Sequence, residues 1–197
     1  MSELLLLSGG IDSIALAAWR RPTCCLTVDY GQRPATAEIE SATEVCRRLR
    51  LDHNVIRVPI QELGSGVLAG RAASGFSPHE EFWPFRNQFL ITVGAMYAVQ
   101  HSLKSVLIGT VRSDTRHVDG SSAFVDQIAR LVAQQEGQIA VLAPAIQMSS
   151  IDLVKFSQVE PSVLGWAHSC HTSHVACGKC PGCNKHSETM MALGWNR

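Results

Sequence analysis

Four consecutive leucines, Leu4 to Leu7, run straight into Ser8-Gly9-Gly10-Ile11-Asp12-Ser13 and on into Ile14-Ala15-Leu16-Ala17-Ala18-Trp19. So short an apolar run, ended by a double glycine, predicts a strand buried on both faces, the signature of a parallel sheet covered by helices. The chain must then turn sharply into a helix. Gly9 and Gly10 accept backbone angles that a Cβ forbids, so the amides of the turn can face one bound group. Asp12 or Ser13 is placed to cap the helix, whose N-terminal N–H groups and dipole favour an anion. Strand, glycine turn and helix together predict a phosphate cradle. The Gly-Lys-Ser/Thr of the P-loop is missing, so the cradle is of another kind.

The remaining pattern alternates strands with helices. Cys24 to Tyr30 predicts a second strand ending in Asp29-Tyr30-Gly31-Gln32-Arg33, and residues 38–49 a helix whose apolar stripe includes Cys46. Cys24 and Cys25 sit among apolar neighbours and are read as packed inside their strand. Residues 54–58 predict a third strand, 105–110 a fourth that ends at Gly109-Thr110, and 139–144 a fifth. Helices are expected at 88–101, 121–135 and 151–156. Between 61 and 81 the periodicity fades into Gly, Ser and Pro, which reads as a mobile cover over the site. Ligands of open α/β sheets bind at the carboxyl ends of the strands, so Tyr30, Gln32, Arg33 and Gly109 join the loop as candidate site residues. Arg86 and Asn87 open a helix and suit a phosphate or carboxylate equally with a cap.

At 197 residues the chain has the length of one sizeable domain with a small appendage. Lys plus Arg and Asp plus Glu are both 17, so the overall balance does not favour a nucleic-acid or membrane surface. No apolar run approaches the ~20 residues of a membrane span, and no basic segment precedes the leucines. A cytoplasmic protein is expected. Of seven cysteines, Cys170, Cys177, Cys180 and Cys183 form C-x6-C-x2-C-x2-C with Gly178, Pro181 and Gly182 between them. Such spacing brings four thiolates onto one tetrahedral zinc ion with no exchangeable position, hence a closed structural site. One of His168, His171, His174 and His186 can replace a cysteine, and a redox pair or an iron–sulfur cluster fits overlapping spacings.

The hexapeptide resembles the SGGxDS pyrophosphate-binding loop of the N-type ATP pyrophosphatase (PP-loop) superfamily, whose members split ATP between its α- and β-phosphates. Further islands are VDYGQR at 28–33 with EIESA at 38–42, FRNQFL at 85–90, IGTVRSD at 108–114, SC at 169–170 and CGKCPGC at 177–183. In this order they resemble the 7-cyano-7-deazaguanine synthase (QueC-like) family. The resemblance implies an α/β fold, a Rossmann-like (HUP, adenine nucleotide alpha-hydrolase-like) doubly wound parallel five-stranded sheet with a zinc-binding appendage. It divides the chain into an ATP pyrophosphatase domain at 1–160 and a zinc-binding subdomain at 161–197.

It also implies ATP, Mg2+ and Zn2+, a 7-carboxy-7-deazaguanine-type substrate and an amine donor, with a homodimer by resemblance alone. Ser8, Gly9, Gly10, Ile11, Asp12, Ser13, Arg86, Asn87 and Gly109 would then hold ATP, and Asp12, Ser13, Arg86 and Asp114 would serve catalysis. Tyr30, Gln32, Arg33, Asp114 and Asp119 would meet the substrate, and the four C-terminal cysteines zinc. The implied reaction adenylates the carboxylate, forms an amide with ammonia, then adenylates the amide oxygen to give the nitrile. The departures matter: Phe85 replaces a glycine, and an Asp-Lys pair expected after Pro144 reads Ser149-Ser150, with Lys155 the nearest lysine. Hence two alternatives: an enzyme that stops at an amide, joining the carboxylate to another amine such as a protein's, or a non-catalytic nucleotide-binding subunit. A tRNA-thiolating relative would instead need reactive cysteines and a basic face.

Overall fold

The computed structural model describes residues 2–114 and 116–195. In chain order the elements are β1 (Glu3–Leu6), α1 (Ile11–Arg20), β2 (Cys24–Asp29), α2 (Ala35–Leu49), β3 (Asp52–Arg57), α3 (Gly66–Ala69), α4 (Arg86–Gln100), β4 (Ser105–Leu107), α5 (Ser122–Ala133), β5 (Ala140–Leu142), α6 (Ser150–Ser157), α7 (Pro161–Leu164) and α8 (Pro181–Ala192). The five strands form one sheet in the order β3-β2-β1-β4-β5, parallel throughout. This is the α/β, Rossmann-like five-stranded architecture that the resemblance implies, with the covered parallel strand read from the leucine run.

Period-two alternation divides the strands between two cores. Leu5, Leu7, Cys25 and Leu107 face a layer built from α1, α2, α6 and α7, where Ile14, Val45, Leu153 and Leu164 meet them. Leu4, Leu26, Val28, Val106 and Ile108 point the other way, towards Ile91 of α4 and Val125 and Ile128 of α5. Leu4 and Leu5 are both 0% exposed, which is why the strand reads as continuously apolar rather than alternating. Each such leucine contributes roughly 1.5–3 kcal/mol by leaving water.

Strand order places the site. The chain leaves β1 towards β2 on one side and later returns to β4 on the other, so the carboxyl ends of β1 and β4 splay apart at a topological switch point. The loop 8–13 follows β1 there, and Gly109-Thr110 follows β4.

Helix and strand limits differ from the expected ones by a few residues, and α7 and α8 were not foreseen, because proline and cysteine-rich turns mask their periodicity. Residues 61–81 differ more. They hold a short 3-10 turn, Gln61–Leu63, and α3, tied in by Arg33 N–H to Leu68 O (2.8 Å) and Val67 N–H to Glu80 O (2.7 Å). Leu68, Ala69 and Glu81 are buried. Residues 66–69 and 81 of the expected mobile cover are therefore packed in, while 70–76 stay mostly exposed. The C-terminal residues are likewise bound in: Val163, Leu164 and Met190 share the core of Ile14 and Leu153.

Candidate functional site at the switch point

Residues 8–13 make the predicted sharp turn, but neither Asp12 nor Ser13 caps α1. The N-cap is Gly10, with no side-chain bond to it. Ser13 instead donates its hydroxyl to Gly10 O (3.0 Å) and lies 3.3 Å from Ser8 Oγ. The first amides of α1 are thus left without a side-chain cap, the condition for an anion site. Gly9, at φ +76°, is held from two sides: its carbonyl accepts Ser41 Oγ–H of α2 (3.0 Å) and His168 N–H of the tail (2.8 Å). A Cβ there would lie 2.8 Å from both Glu38 O and Ser41 Oγ. Ile11 is 5% exposed and serves mainly as core. Gly109 has a different reason from the one expected: a Cβ on it would meet Ser13 N and Cα at 3.3 Å, so its bareness lets the β4 end pass close beneath α1.

Asp12 points away from its own helix amides. Its Oδ2 accepts from Lys185 Nζ of α8 at 2.7 Å, and the same ammonium pairs with Asp114 Oδ1 at 2.5 Å. Asp12 Oδ1 is buried and has no hydrogen-bond partner among the described residues. Burial raises the Asp12 pKa, with Lys185 pulling it down. For Lys185 burial opposes the charge, yet Asp12 and Asp114 outweigh it and raise the pKa. The orphaned oxygen beside a row of free amides is the arrangement that would suit magnesium on a nucleotide.

Arg86 and Asn87 start α4 across the cleft. Asn87 is tied to a distant loop: its backbone N–H goes to Asp119 Oδ2 (3.1 Å) and its Nδ2–H to Asp119 O (2.9 Å). Asp119 thus caps α4 from a distant loop while still lining the outer cavity. Phe85, where the resemblance leads one to expect glycine, adopts the left-handed φ of +56° and is 75% exposed.

Tyr30 packs edge-on against Trp83 (4.9 Å between centroids) and lines the inner cavity. Burial raises its pKa, with Arg86 beside it acting the other way. Gln32 is internal: its carbonyl accepts Tyr30 N–H (2.8 Å), and its amide donates to Val28 O (3.2 Å) and Glu38 Oε2 (2.7 Å). Neither Gln32 nor Arg33 lines either cavity. Arg33 runs instead along Gly70.

Two cavities meet here. The inner one, about 340 Å³, runs from Ser8, Gly10 and Asp12 past Gly109 to Tyr30, Glu38 and Arg86. The outer one, about 650 Å³, is bounded by Glu81, Arg116, His117, Asp119, Ser150 and Glu188. Arg86, Asn87, Thr110, Asp114, His171 and Lys185 line both and form their common wall. Glu38 is pushed up to about 7 by burial, despite its bond from Gln32. Glu81 pairs with Arg116 at 2.6 Å, which overcomes burial and holds its carboxyl at about 2.

The four predicted cysteines come together. Their Sγ atoms all lie within 4.8 Å of one another, with Cys177 and Cys183 3.9 Å apart. Four zinc–sulfur bonds of about 2.3 Å need sulfurs only slightly closer than this. Amides already point at the sulfurs: His171 N–H and Cys183 N–H each lie 3.4 Å from Cys180 Sγ. Such donors offset thiolate charge, and backbone N–H groups near Cys177 hold it down at about 5. Burial raises Cys170, but donors around Thr172 bring it to about 7, and burial pushes Cys183 up to about 12. The set fits zinc. None of the neighbouring histidines replaces a cysteine in the described cluster. Cys24, Cys25 and Cys46 are buried and line neither cavity.

The sequence reading missed Lys185, which supplies a cation where Ser149-Ser150 lacks one, together with Glu38, Glu81 and His171. Lys185 had one local signal: it follows Cys183 by two residues in a helix opened by Pro181 at its first position.

Comparison with known proteins adds a family-scale match. The model of the family described as queuosine biosynthesis protein QueC matches residues 2–194. The chain is 28% identical over 218 residues to a 7-cyano-7-deazaguanine synthase of Desulforudis audaxviator, covering 98% of each. It is 30% identical over 211 residues to that of Pseudomonas savastanoi pv. phaseolicola (97% of this chain, 92% of the relative) and 24% over 201 residues to that of Methanobrevibacter smithii (91% and 88%).

Proposed function

Because the chain belongs to the family of queuosine biosynthesis proteins QueC, we propose that it is an ATP-dependent C–N ligase that adenylates the carboxylate of 7-carboxy-7-deazaguanine and converts it, through the amide, to 7-cyano-7-deazaguanine. The observation that carries this reading is the shared wall between two cavities. An inner chamber ending at uncapped helix amides suits the nucleotide, and an outer one lined by Arg116, His117 and Asp119 suits the second substrate.

In this reading Ser8, Gly10 and the α1 amides cradle phosphate oxygens, and Arg86 faces the seam where the two substrates touch. A carboxylate oxygen attacks the α-phosphorus of ATP; the bond to the β-phosphate breaks, and pyrophosphate leaves with the electron pair. Ammonia then displaces AMP. Repetition on the amide oxygen, with loss of AMP and two protons, yields the nitrile. The chain's own contribution is positioning and charge stabilisation. Asp12 Oδ1 would hold magnesium, which supplies charge neutralisation on the phosphates. Cys170, Cys177, Cys180 and Cys183 would hold zinc, which supplies folding energy to the unit 161–197.

The absence of a cysteine from both cavities weighs against thiol chemistry. The test is pyrophosphate release from ATP and magnesium by zinc-loaded protein, with and without 7-carboxy-7-deazaguanine and ammonia, products read by mass. Substrate-dependent pyrophosphate with nitrile is expected. Amide as the only product would move the reading to amide ligation, and no release, unchanged by Asp12→Ala, to nucleotide binding.

A further inference from the structure

Lys185 reaches Asp12 of the glycine loop (2.7 Å) from the helix that the cysteine cluster opens. Cys180 is the N-cap of α8 and Cys183 its third residue, whose N–H bonds to Cys180 Sγ. Lys185 follows after two more residues, about 3 Å further along the axis at 1.5 Å per residue. Whatever fixes Cys180 and Cys183 in space therefore fixes the root of the Lys185 side chain. Its head then meets Asp12 (2.7 Å) and Asp114 (2.5 Å). The inner cavity has only two Lys or Arg residues among its described lining, Arg86 and Lys185. Arg86 stands with Tyr30 and Glu38, and Lys185 with the loop. A nucleotide brings several negative charges into a chamber already holding Asp12 and Asp114, and among the described residues lining the loop end no other Lys or Arg meets them. Ser150 of α6 adjoins the same acid, its hydroxyl favouring the Asp12 carboxylate; it is 5% exposed and lines the outer cavity.

Resting on the ATP reading above, we propose that Lys185 is the residue that meets the charge building on the β-phosphate as its bond to the α-phosphorus breaks, and that zinc in the cysteine cluster sets its position. The residue then does more than close an ion pair: the metal unit contributes a reacting-site cation from 173 residues beyond Asp12. No proton moves in this step. The electron pair of the broken P–O bond stays on pyrophosphate, and Lys185 exchanges a carboxylate partner for a phosphate oxygen.

Substrate-dependent pyrophosphate release is compared in wild type, Lys185→Met and Ser150→Lys/Lys185→Met, with zinc content measured for each. Lys185→Met is expected to retain one zinc, to keep its KM for ATP within about threefold, and to lose turnover by roughly 10²- to 10³-fold, the usual cost of one transition-state donor. The double variant, which supplies an ammonium from α6 beside Asp12, is expected to regain at least about tenfold. A Lys185→Met turnover within threefold of wild type overturns the proposal. So does a loss that Ser150→Lys leaves uncorrected, since that marks a structural role. A wild type without pyrophosphate release overturns the ATP reading and the role together, so the two failures are told apart by the wild type alone.

The zinc half is read without activity. Acetic anhydride labelling, quantified by mass against Lys104, Lys155 and Lys179, is expected to find Lys185 protected in the zinc-loaded protein and exposed after chelation. Equal labelling in both states refutes the coupling.

Discussion

Gly9 and Gly10 are neighbours in the same loop, yet adding one methyl group to each should give opposite results. Gly9→Ala places a Cβ at φ +76°, 2.8 Å from Glu38 O and Ser41 Oγ, with Ser41 Cβ at 2.9 Å. Holding alanine in the left-handed region costs roughly 1–2 kcal/mol. Expelling the 4%-exposed Ser41 from its bond to Gly9 O costs a further ~1 kcal/mol or more. The sum, about 2–4 kcal/mol, lowers Tm by roughly 5–15 °C for a chain of this size. Gly10 sits at φ −80°, where any residue is comfortable, and its new Cβ would meet nothing nearer than Ser8 Oγ at 3.5 Å. Gly10→Ala should therefore stay within about 0.5 kcal/mol of wild type, as surface changes do. Thermal unfolding followed by circular dichroism measures both, and equilibrium dialysis with labelled ATP follows the cradle. Because Gly9 also receives His168 N–H from the tail, its variant should lose ATP affinity by more than tenfold. Equal melting temperatures for the two variants would refute the argument that the loop is clamped from outside at Gly9.

At Phe85 the usual order of helix-start residues should invert. With φ at +56° and three-quarters of the side chain exposed, Phe85→Gly should be about 1 kcal/mol more stable than Phe85→Ala, because only glycine sheds the left-handed strain; urea denaturation giving alanine the higher midpoint would refute it. Glu38 titrates at about 7 in the folded protein, above its ordinary 4.5. The folded state binds this proton more tightly than the unfolded chain, so the stabilisation is complete below about pH 4.5 and lost as pH rises through 7. Glu38→Gln should therefore gain on wild type by about 1–3 kcal/mol between pH 5 and 8, and parallel stability profiles would show that burial does not control the group. Chelation of zinc, or Cys180→Ser, should lower the melting temperature and release the tail first, seen as faster amide exchange across 168–190 than across β1. Uniform exchange would mean that the cluster does not organise the tail.

The glycine-loop end of this protein was legible because its determinants are local. A leucine run that cannot face water, a double glycine that must turn and a helix that follows at once leave little freedom, and the parallel sheet, its five strands and the switch-point cleft follow from repeats of that unit. The cysteine cluster was legible for the same reason, its ligands standing within 14 residues. Gln32 shows where this reading stops: in sequence it looks like a strand-end ligand, and only packing reveals that its amide is used up on Tyr30, Val28 and Glu38. Asn87 and Asp119, both ligand candidates in sequence, also bond to each other across 32 residues while lining the outer cavity. Phe85 adopts a left-handed backbone angle that favours glycine, a strain no local pattern announces. Lys185 is the extreme case, since nothing within a few residues of it specifies Asp12. Periodicity and turn chemistry encode what neighbours along the chain must do, whereas the partner of a charge is decided by where whole helices dock, and α8 is seated through the cysteine cluster and the buried Thr189 and Met190.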